Sequence, residues 1–190
     1  MIRETIVTSL SPEGTPHIAP MGVHVLPGEL LIMPFRPSTT LDNLLSSGYA
    51  VVNYCDDVRV FAGCLTGRRH WPLVEAERIP GKRLADTLAH AELALTRVEP
   101  DPLRPRLHCR VVHQAQHAPF RGFNRGQFAV LEAAILVSRL DRLPWDKVER
   151  ELAYLRIGLD KTAGPAEREA WDWLMERVEA FRRERPEDPP

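Results

Sequence analysis

Apolar and polar positions alternate along much of the first 117 residues, which is the spacing of β-strands. ETIVTSL and HIAPMGVHVL flank a turn at SPEGTP, so these two segments are predicted to form a hairpin. A second turn at Pro27-Gly28 leads into a third strand, ELLIMPF, and YAVVNYC predicts a short central strand. Three later segments complete the β half: HWPLVEAERI, ELALTRVEP and RPRLHCRVVHQA.

Helical spacing first occurs in STTLDNLLSS, where Leu41, Leu44 and Leu45 recur at i, i+3 and i+4. Ser38 or Thr39 can cap this helix, and Gly48 can end it. Two other segments leave alternatives open. DDVRVFAGCL fits a short helix or a strand, and GKRLADTLAHA fits a loop or a short helix.

Residues 124 to 183 are rich in Ala, Leu, Glu and Arg and predict three helices: NRGQFAVLEAAILVSRL, PWDKVERELAYLRIGL and GPAEREAWDWLMERVEAF. The first is apolar on nearly every side, so we expect the β half and another surface to bury it. Short strands followed by helices predict an α+β fold. We expect an antiparallel barrel in residues 1–117 and a C-terminal helical subdomain, residues 118–190, packed on it.

Composition narrows the class of protein. The chain has 190 residues and a formal net charge of −1, which argues against a nucleic-acid binder because such proteins carry a basic excess. Its three cysteines are odd in number and show no C-x-x-C spacing, so we expect reduced thiols, as in a cytoplasmic protein. No segment reaches the roughly 18 apolar residues that a membrane span needs.

The stretch PFRPSTTLDNL gathers small donors where the third strand passes into the first helix. Amide groups at a helix N-terminus bind anions, and Arg36 can add a two-pronged contact. The hydroxyls of Ser38, Thr39 and Thr40 surround the same point. The pattern indicates a phosphate site, and the alternative is a plain helix N-terminus with generous capping residues.

A second polar cluster, HAPFRGFNRGQF, precedes the apolar helix. Asn124 is a plausible N-cap, and Arg121 lies three residues before it. Two interpretations stay open, a second anion or substrate contact and a solvated loop with a cap. His113 and His117 lie on a strand that runs into a proline, and no third ligand is near them in the sequence, so no metal site is predicted.

The order R-P-S-T-T-L-D-N-L-L-S-S-G-Y-A-V-V-N resembles the FMN-binding split-barrel proteins, in particular the flavin-reductase-like group. IAPMGV, VVNYCDDVRVFAGC and HAPFRGFNRGQ extend the likeness over almost the full length, and the chain resembles the DUF447 family of that superfamily. The resemblance implies an antiparallel split β-barrel that binds FMN without a covalent bond. It also implies a set of cofactor-binding residues: Ala19, Pro20, Met21, Gly22, Val23, Arg36, Ser38, Thr39, Thr40, Asn43, Asn53, Arg121 and Asn124.

Within that set, the phosphate is expected against residues 36–40 and the ring against the backbone of residues 19–23, with Met21 packing on it. Flavin reductases of this group usually carry a K-D-T where this chain has Ser38-Thr39-Thr40, so a lysine contact is missing. Arg36 or Arg121 can replace it.

Relatives of this kind are usually homodimers with FMN at the subunit interface, which is the expectation here. One functional hypothesis is an FMN-dependent oxidoreductase whose cofactor does the chemistry, with a small-molecule substrate or electron donor. Another is a non-catalytic FMN-binding module, an electron carrier or sensor. A third is a split-barrel scaffold that has lost FMN. No catalytic side chain is assigned.

Overall fold

The structure is a computed structural model that describes residues 1–184. Eight strands come in three groups, because one helix lies between β3 and β4 and another between β4 and β5. The strands are β1 (Ile2–Leu10), β2 (Pro16–Leu26), β3 (Glu29–Ile32), β4 (Tyr49–Tyr54), β5 (Leu73–Glu75), β6 (Lys82–Leu84), β7 (Ala89–Glu99) and β8 (Arg106–Gln116). The helices are α1 (Thr39–Ser47), α2 (Val58–Leu65), α3 (Arg125–Val137), α4 (Trp145–Thr162) and α5 (Pro165–Glu184).

Six strands close into an antiparallel barrel in the order β1-β2-β3-β8-β7-β4. The predicted α+β class, an antiparallel barrel with C-terminal helices, is confirmed. Side chains from alternate positions fill the barrel, as expected when one face of each strand is buried. The fully enclosed members include Val7, Val52, Leu93 and Leu107.

Helix α1 closes part of this core. Leu41 and Leu44 belong to the apolar cluster of the barrel. Ser38 is the N-cap, and Gly48 ends the helix with a φ of 76°, a left-handed conformation that glycine adopts without strain. The helix and both of its predicted boundaries are confirmed.

The hairpin of β5 and β6 lies over the outer face of the barrel, where β6 contacts β1 and β4. The Leu84 amide donates to the Asn53 side chain at 2.8 Å, and the Thr8 hydroxyl donates to the Lys82 carbonyl. GKRLADTLAHA was expected to be a loop or a short helix and instead contains β6. Its strand forms because it pairs with β5 and docks on two barrel strands, neither of which is visible in local propensity.

The chain divides into two compact units, residues 1–56 with 70–120 and residues 57–69 with the segment from 121 onward. The ambiguous segment DDVRVFAGCL forms α2, capped by the Asp57 side chain. Val58 and Ala62 of α2 belong to the apolar core of the second unit. Residues 57–69, which the sequence places with the barrel, therefore group with the C-terminal helices because that is where their apolar side chains are buried.

The second unit is a helical bundle in which α3 packs against α2, α4 and α5. Trp171, Leu174 and Val178 form the buried face of α5, as its spacing predicts. The predicted second domain extends to residue 190, of which 185–190 lie outside the described residues. Over residues 1–184, no helix combines the length and apolarity needed to cross a membrane.

Candidate functional site

The outer edge of β2 is open along most of its length. β2 pairs with β1 over residues 16–24, but β3 pairs only with residues 24–26. Within residues 1–184, no strand pairs with the other edge of residues 16–23. This edge offers backbone donors and acceptors to a ligand, much as an unpaired strand edge offers them to another chain.

Strand alternation determines which β2 groups face the open edge. The Val25 amide donates to the Met1 carbonyl at 2.8 Å, and the Met21 carbonyl accepts from the Thr5 hydroxyl at 2.9 Å, so both groups face β1. The backbone groups of Gly22 and the carbonyl of Pro20 therefore face away from β1. Pro20 has no N–H to leave unpaired there.

The side chains of residues 19–23 differ in how far they are buried. Val23 is buried in the barrel core and Met21 packs against the same core. Met21 is partly buried, and its packing on a cofactor ring, which the resemblance implies, stays a prediction. Ala19, Pro20 and Gly22 are partly exposed, so this stretch presents mainly backbone at its open edge.

The N-terminus of α1 retains unused donors. The Ser38 hydroxyl accepts from the Leu41 amide at a long 3.4 Å. The amides of Thr39 and Thr40 have no acceptor among residues 1–184, as expected for the first turn of a helix. The Thr40 hydroxyl is buried and has no hydrogen-bond partner in the described chain. Helix α1 contacts β1, β2 and β4 of the barrel.

Arg36 lies on the exposed connector between β3 and α1. Its backbone amide donates to the Leu103 carbonyl at 2.9 Å, and its guanidinium forms no ion pair with any described residue. The peptide bond between Arg36 and Pro37 is cis. The connector thus holds a free cationic group directly before the free amides of α1.

A second guanidinium, missed by the sequence analysis, reaches this connector from the turn between β7 and β8. Arg104 donates to the Met33 carbonyl at 2.9 Å and lies 4.8 Å from the centre of the Phe35 ring. Nothing local in the sequence marks it, because about seventy residues separate Arg104 from Met33. Only the pairing of β3 with β8 brings the two segments together.

Two amides of the predicted set are used inside the protein. Asn43 is buried and donates to the Ser9 hydroxyl at 2.9 Å. Asn53 is fully buried, donates to the Ile6 carbonyl at 3.0 Å and accepts from the Leu84 amide at 2.8 Å. Asn53 lies on the outer face of β4 beneath β6, so the structure assigns it to strand packing and does not bring it to the donors at α1.

Arg121 and Asn124 belong to the second unit. Asn124 is the N-cap of α3, as predicted, since its side-chain oxygen accepts from the Gly126 and Gln127 amides at 2.7 and 3.1 Å. Its side-chain nitrogen donates to the Thr162 carbonyl at 3.0 Å. Arg121 is exposed. The cap explains Asn124 fully, and the structure assigns no further contact to Arg121.

A second polar cluster, absent from the sequence-based set, lies on the first unit where β7 and β8 pair. Glu92 is fully buried, and its carboxylate accepts from the amides of Glu77, Arg78 and Ile79 and contacts His90 Nε2 at 3.2 Å. Burial raises the pKa of the Glu92 carboxyl, but these amides and His90 more than offset it, so the pKa lies below its ordinary value. Glu92 is therefore an ionised carboxylate at pH 7.

His90 links this carboxylate to two further rings. Its Nδ1 lies 2.9 Å from His117 Nε2, with the two rings stacked, and its centroid lies 5.7 Å from that of His113. Partial burial, Arg83 and His90 hold the pKa of His117 below its ordinary value. His113 and His117 thus meet a third histidine that their local sequence does not show, because His90 is on the neighbouring strand.

Several solved structures have a fold similar to that of this chain. The FMN-bound protein MM1853 from Methanosarcina mazei superposes with a TM-score of 0.79 at 18% identity, over 93% of this chain and 94% of that one. Nitrilotriacetate monooxygenase component B from Bacillus cereus gives 0.54 at 21% identity, over 64% and 74% of the two chains.

A third protein, the 2-nitrobenzoate 2-nitroreductase NbaA from Pseudomonas fluorescens, gives 0.52 at 20% identity, over 60% and 64%. No curated protein matches the sequence.

Family models match both units of the chain. The N-terminal model, described as the DUF447 N-terminal domain of a protein of unknown function, matches residues 3–118. A second DUF447 model, likewise described as a protein of unknown function, matches residues 124–176. Since the first match alone spans more than half of the sequence and the second continues from it, the chain belongs to the DUF447 family.

Proposed function

We propose that this protein is an FMN-binding flavoprotein and that it holds the FMN phosphate at the N-terminus of α1. The observation that carries the proposal is the set of unused donors there. The free guanidinium of Arg36 lies directly before two free amides and the unpartnered hydroxyl of Thr40. A phosphate satisfies several such donors at once and is favoured by the positive end of the helix dipole.

The related structures supply the identity of the ligand. MM1853, which shares the family and nearly the full length of the fold, is described as FMN-bound. The chemistry of the donor set fits a mononucleotide, because a guanidinium, free N–H groups and a hydroxyl are present together. A helix N-terminus on its own is a weak indication, and the fit depends on these features occurring together.

The open edge of β2 suits the flavin ring system. Gly22 offers an amide and a carbonyl, and Pro20 offers a carbonyl, all facing the side without a strand partner. The pyrimidine part of a flavin carries alternating donors and acceptors that such an edge can pair with. Because Val23 is buried in the barrel core, backbone groups are the main contacts that this segment offers to the ring.

Arg36 and Arg104 together can take the place of the lysine that flavin reductases of this superfamily usually carry. Arg104 is already anchored at the connector by the Met33 carbonyl and the Phe35 ring. A guanidinium fixed in this way loses less side-chain freedom when an anion binds. We assign Arg36 to direct phosphate contact and Arg104 to positioning the connector.

Bound FMN would supply hydride or electron transfer, so we propose an oxidoreductase whose substrate remains to be identified. The residues at the start of α1 bind and orient the phosphate. We further propose a homodimer with the cofactor at the subunit interface. Phe35 and Leu103, 51% and 61% exposed, flank the Arg36 connector and offer an apolar surface that a second copy can cover.

The first test is the absorbance spectrum of the purified protein, followed by titration of the flavin-free protein with FMN. We expect bound flavin that heat releases, and a loss of affinity of about tenfold or more in Arg36→Ala, because a charge-assisted contact contributes roughly 1.5–3 kcal/mol. Arg110→Ala, which removes an exposed arginine on β8, is the matched control and should bind FMN normally. Equal affinity in both variants would place the phosphate elsewhere, and no FMN binding by the wild type would refute the proposal.

Activity and assembly need separate measurements. Mixing the flavin-loaded protein with NADH or NADPH should bleach the flavin absorbance if a nicotinamide is the electron donor. Light scattering should give twice the mass of the chain, and Phe35→Glu should shift the protein to a monomer with weaker FMN binding. A wild-type monomer that retains FMN would contradict the shared site.

A further inference from the structure

Three side chains on the first unit converge in the way that metal ligands do. Glu77, His90 and His113 each offer one ligand atom, and these atoms all lie within 4.8 Å of one another. They come from the connection between β5 and β6, from β7 and from β8. We propose that this cluster binds a divalent transition-metal ion, with His117 as the fourth ligand.

Two of the ligand–ligand distances are close to those of tetrahedral coordination. Two ligand atoms at about 2.0–2.1 Å from a tetrahedral zinc ion lie about 3.3 Å apart. His113 Nε2 lies 3.3 Å from Glu77 Oε2, and His90 Nδ1 lies 2.9 Å from His117 Nε2. Within each pair, the two atoms are therefore about as far apart as two ligands of one ion.

Glu92 orients His90 for this role. With its carboxylate held by three backbone amides, Glu92 accepts the Nε2 proton of His90, which leaves the lone pair on Nδ1. A carboxylate behind a histidine is the usual arrangement at metal sites, since it fixes the ring tautomer and direction. The three amides satisfy the Glu92 carboxylate, and the other nitrogen of His90 faces a second histidine, His117.

His113 supplies an independent indication. Its Nε2 atom is buried and has no hydrogen-bond partner among residues 1–184. The carboxylate of Glu77 is near it, but the approach lacks hydrogen-bond geometry. A buried ring nitrogen without a partner is destabilising, and a cation between His113 and Glu77 would satisfy both groups.

Charge and ligand type determine the class of ion. Two acidic side chains, Glu77 and Glu92, and one arginine, Arg83, lie at this cluster, so acidic groups outnumber the fixed cationic one. The Arg83 head group is held by the carbonyls of Leu84 and Ala85. Three imidazoles and one carboxylate suit Zn²⁺, Co²⁺, Ni²⁺ or Fe²⁺, whereas Ca²⁺ and Mg²⁺ prefer all-oxygen sites.

Such an ion would fasten the connection between β5 and β6 to the barrel. Glu77 is the only proposed ligand outside β7, β8 and the residue just after β8, and its own side chain is half-exposed. Removing the ion should therefore loosen residues 76–81 while the barrel strands stay paired. The site does not depend on FMN, so it is testable whether or not the flavin is bound.

The test uses the full-length, tag-free protein after treatment with a chelator. Titration with Zn²⁺ against a chromophoric chelator should give one bound equivalent and a raised melting temperature. Glu77→Gln and His113→Ala should each weaken Zn²⁺ binding at least tenfold, while His70→Ala, which removes an exposed histidine, should leave it unchanged. Glu77→Gln alters an exposed side chain and should fold normally. It therefore remains informative if the His113→Ala variant fails to fold.

Substituting Co²⁺ gives a second readout, because its visible spectrum reports coordination geometry and ligand type. We expect a tetrahedral nitrogen–oxygen spectrum without thiolate charge transfer, which also separates this site from binding at a cysteine. Equal Zn²⁺ affinity in wild type and Glu77→Gln would overturn the proposal. So would a thiolate spectrum, or no saturable binding by the wild type.

Discussion

Thr40 provides a test in which stability and cofactor affinity are expected to change in opposite directions. Its side chain is fully buried in the first turn of α1, and its hydroxyl has no partner in the described chain. Thr40→Val replaces this hydroxyl with a methyl group of nearly the same size, so no cavity and no new clash are created. Both residues are β-branched, and helix propensity is therefore almost unchanged.

The size of each effect follows from the missing partner. An unsatisfied buried polar group costs about 1–3 kcal/mol. The free energy of unfolding of the flavin-free variant should therefore exceed that of the flavin-free wild type by about 1 kcal/mol or more. For a chain of this length, that raises the melting temperature by roughly 2–4 °C. If a phosphate oxygen accepts from this hydroxyl, the variant loses about 1.5–3 kcal/mol of binding, which is roughly a 10- to 150-fold rise in Kd.

Urea unfolding followed by circular dichroism measures the first effect, and quenching of FMN fluorescence measures the second. Thr39→Val, in the same turn but exposed, is the stability control and should not stabilise the flavin-free protein. A stabilised Thr40→Val variant with unchanged FMN affinity would show that the hydroxyl does not meet the phosphate. A destabilised variant would show that the hydroxyl has a partner within the folded protein.

Two further predictions concern groups that the fold itself uses. Asn53→Leu should lower the free energy of unfolding by roughly 2–5 kcal/mol, because it leaves the Leu84 amide and the Ile6 carbonyl without partners. Urea unfolding measures this free energy, and a marginal change would contradict the structural role of Asn53. Burial raises the pKa of Cys64 to about 11 and that of Cys109 to about 12. At pH 8, a thiol reagent should therefore rapidly modify only Cys55 in the folded protein. In the unfolded protein, the same reagent should modify all three thiols. Rapid reaction of a second thiol in the native protein would refute their burial.

Elements with strong local signals were predictable from the sequence. The first hairpin is marked by its turn, and α1 is marked by Ser38, its leucine spacing and Gly48, so each needs no information from elsewhere in the chain. β6 could not be recognised in this way. It has only three residues, most of them charged, and they form a strand because they pair with β5. The same limit left DDVRVFAGCL ambiguous until its partners in α3 and α5 were known.

The candidate sites show a similar division. Arg36 and residues 38–40 are contiguous, so their shared position at a helix start follows from the sequence. Asn53 looked like a cofactor ligand because a motif does not reveal which side of a strand is covered by β6. Arg104 and the cluster around His90 depend on strand pairing across distant segments, and the sequence carries no local mark of either.

The path of the chain between the two units limits how the protein can be cut. It leaves the barrel after residue 56, contributes α2 to the helical bundle, returns at residue 70 and leaves again after residue 120. A fragment ending near residue 118, where the first family match ends, would keep α2 but lose α3 and α5, against which its buried face packs. Val58 and Ala62 would then face water, so such a fragment should be prone to aggregate.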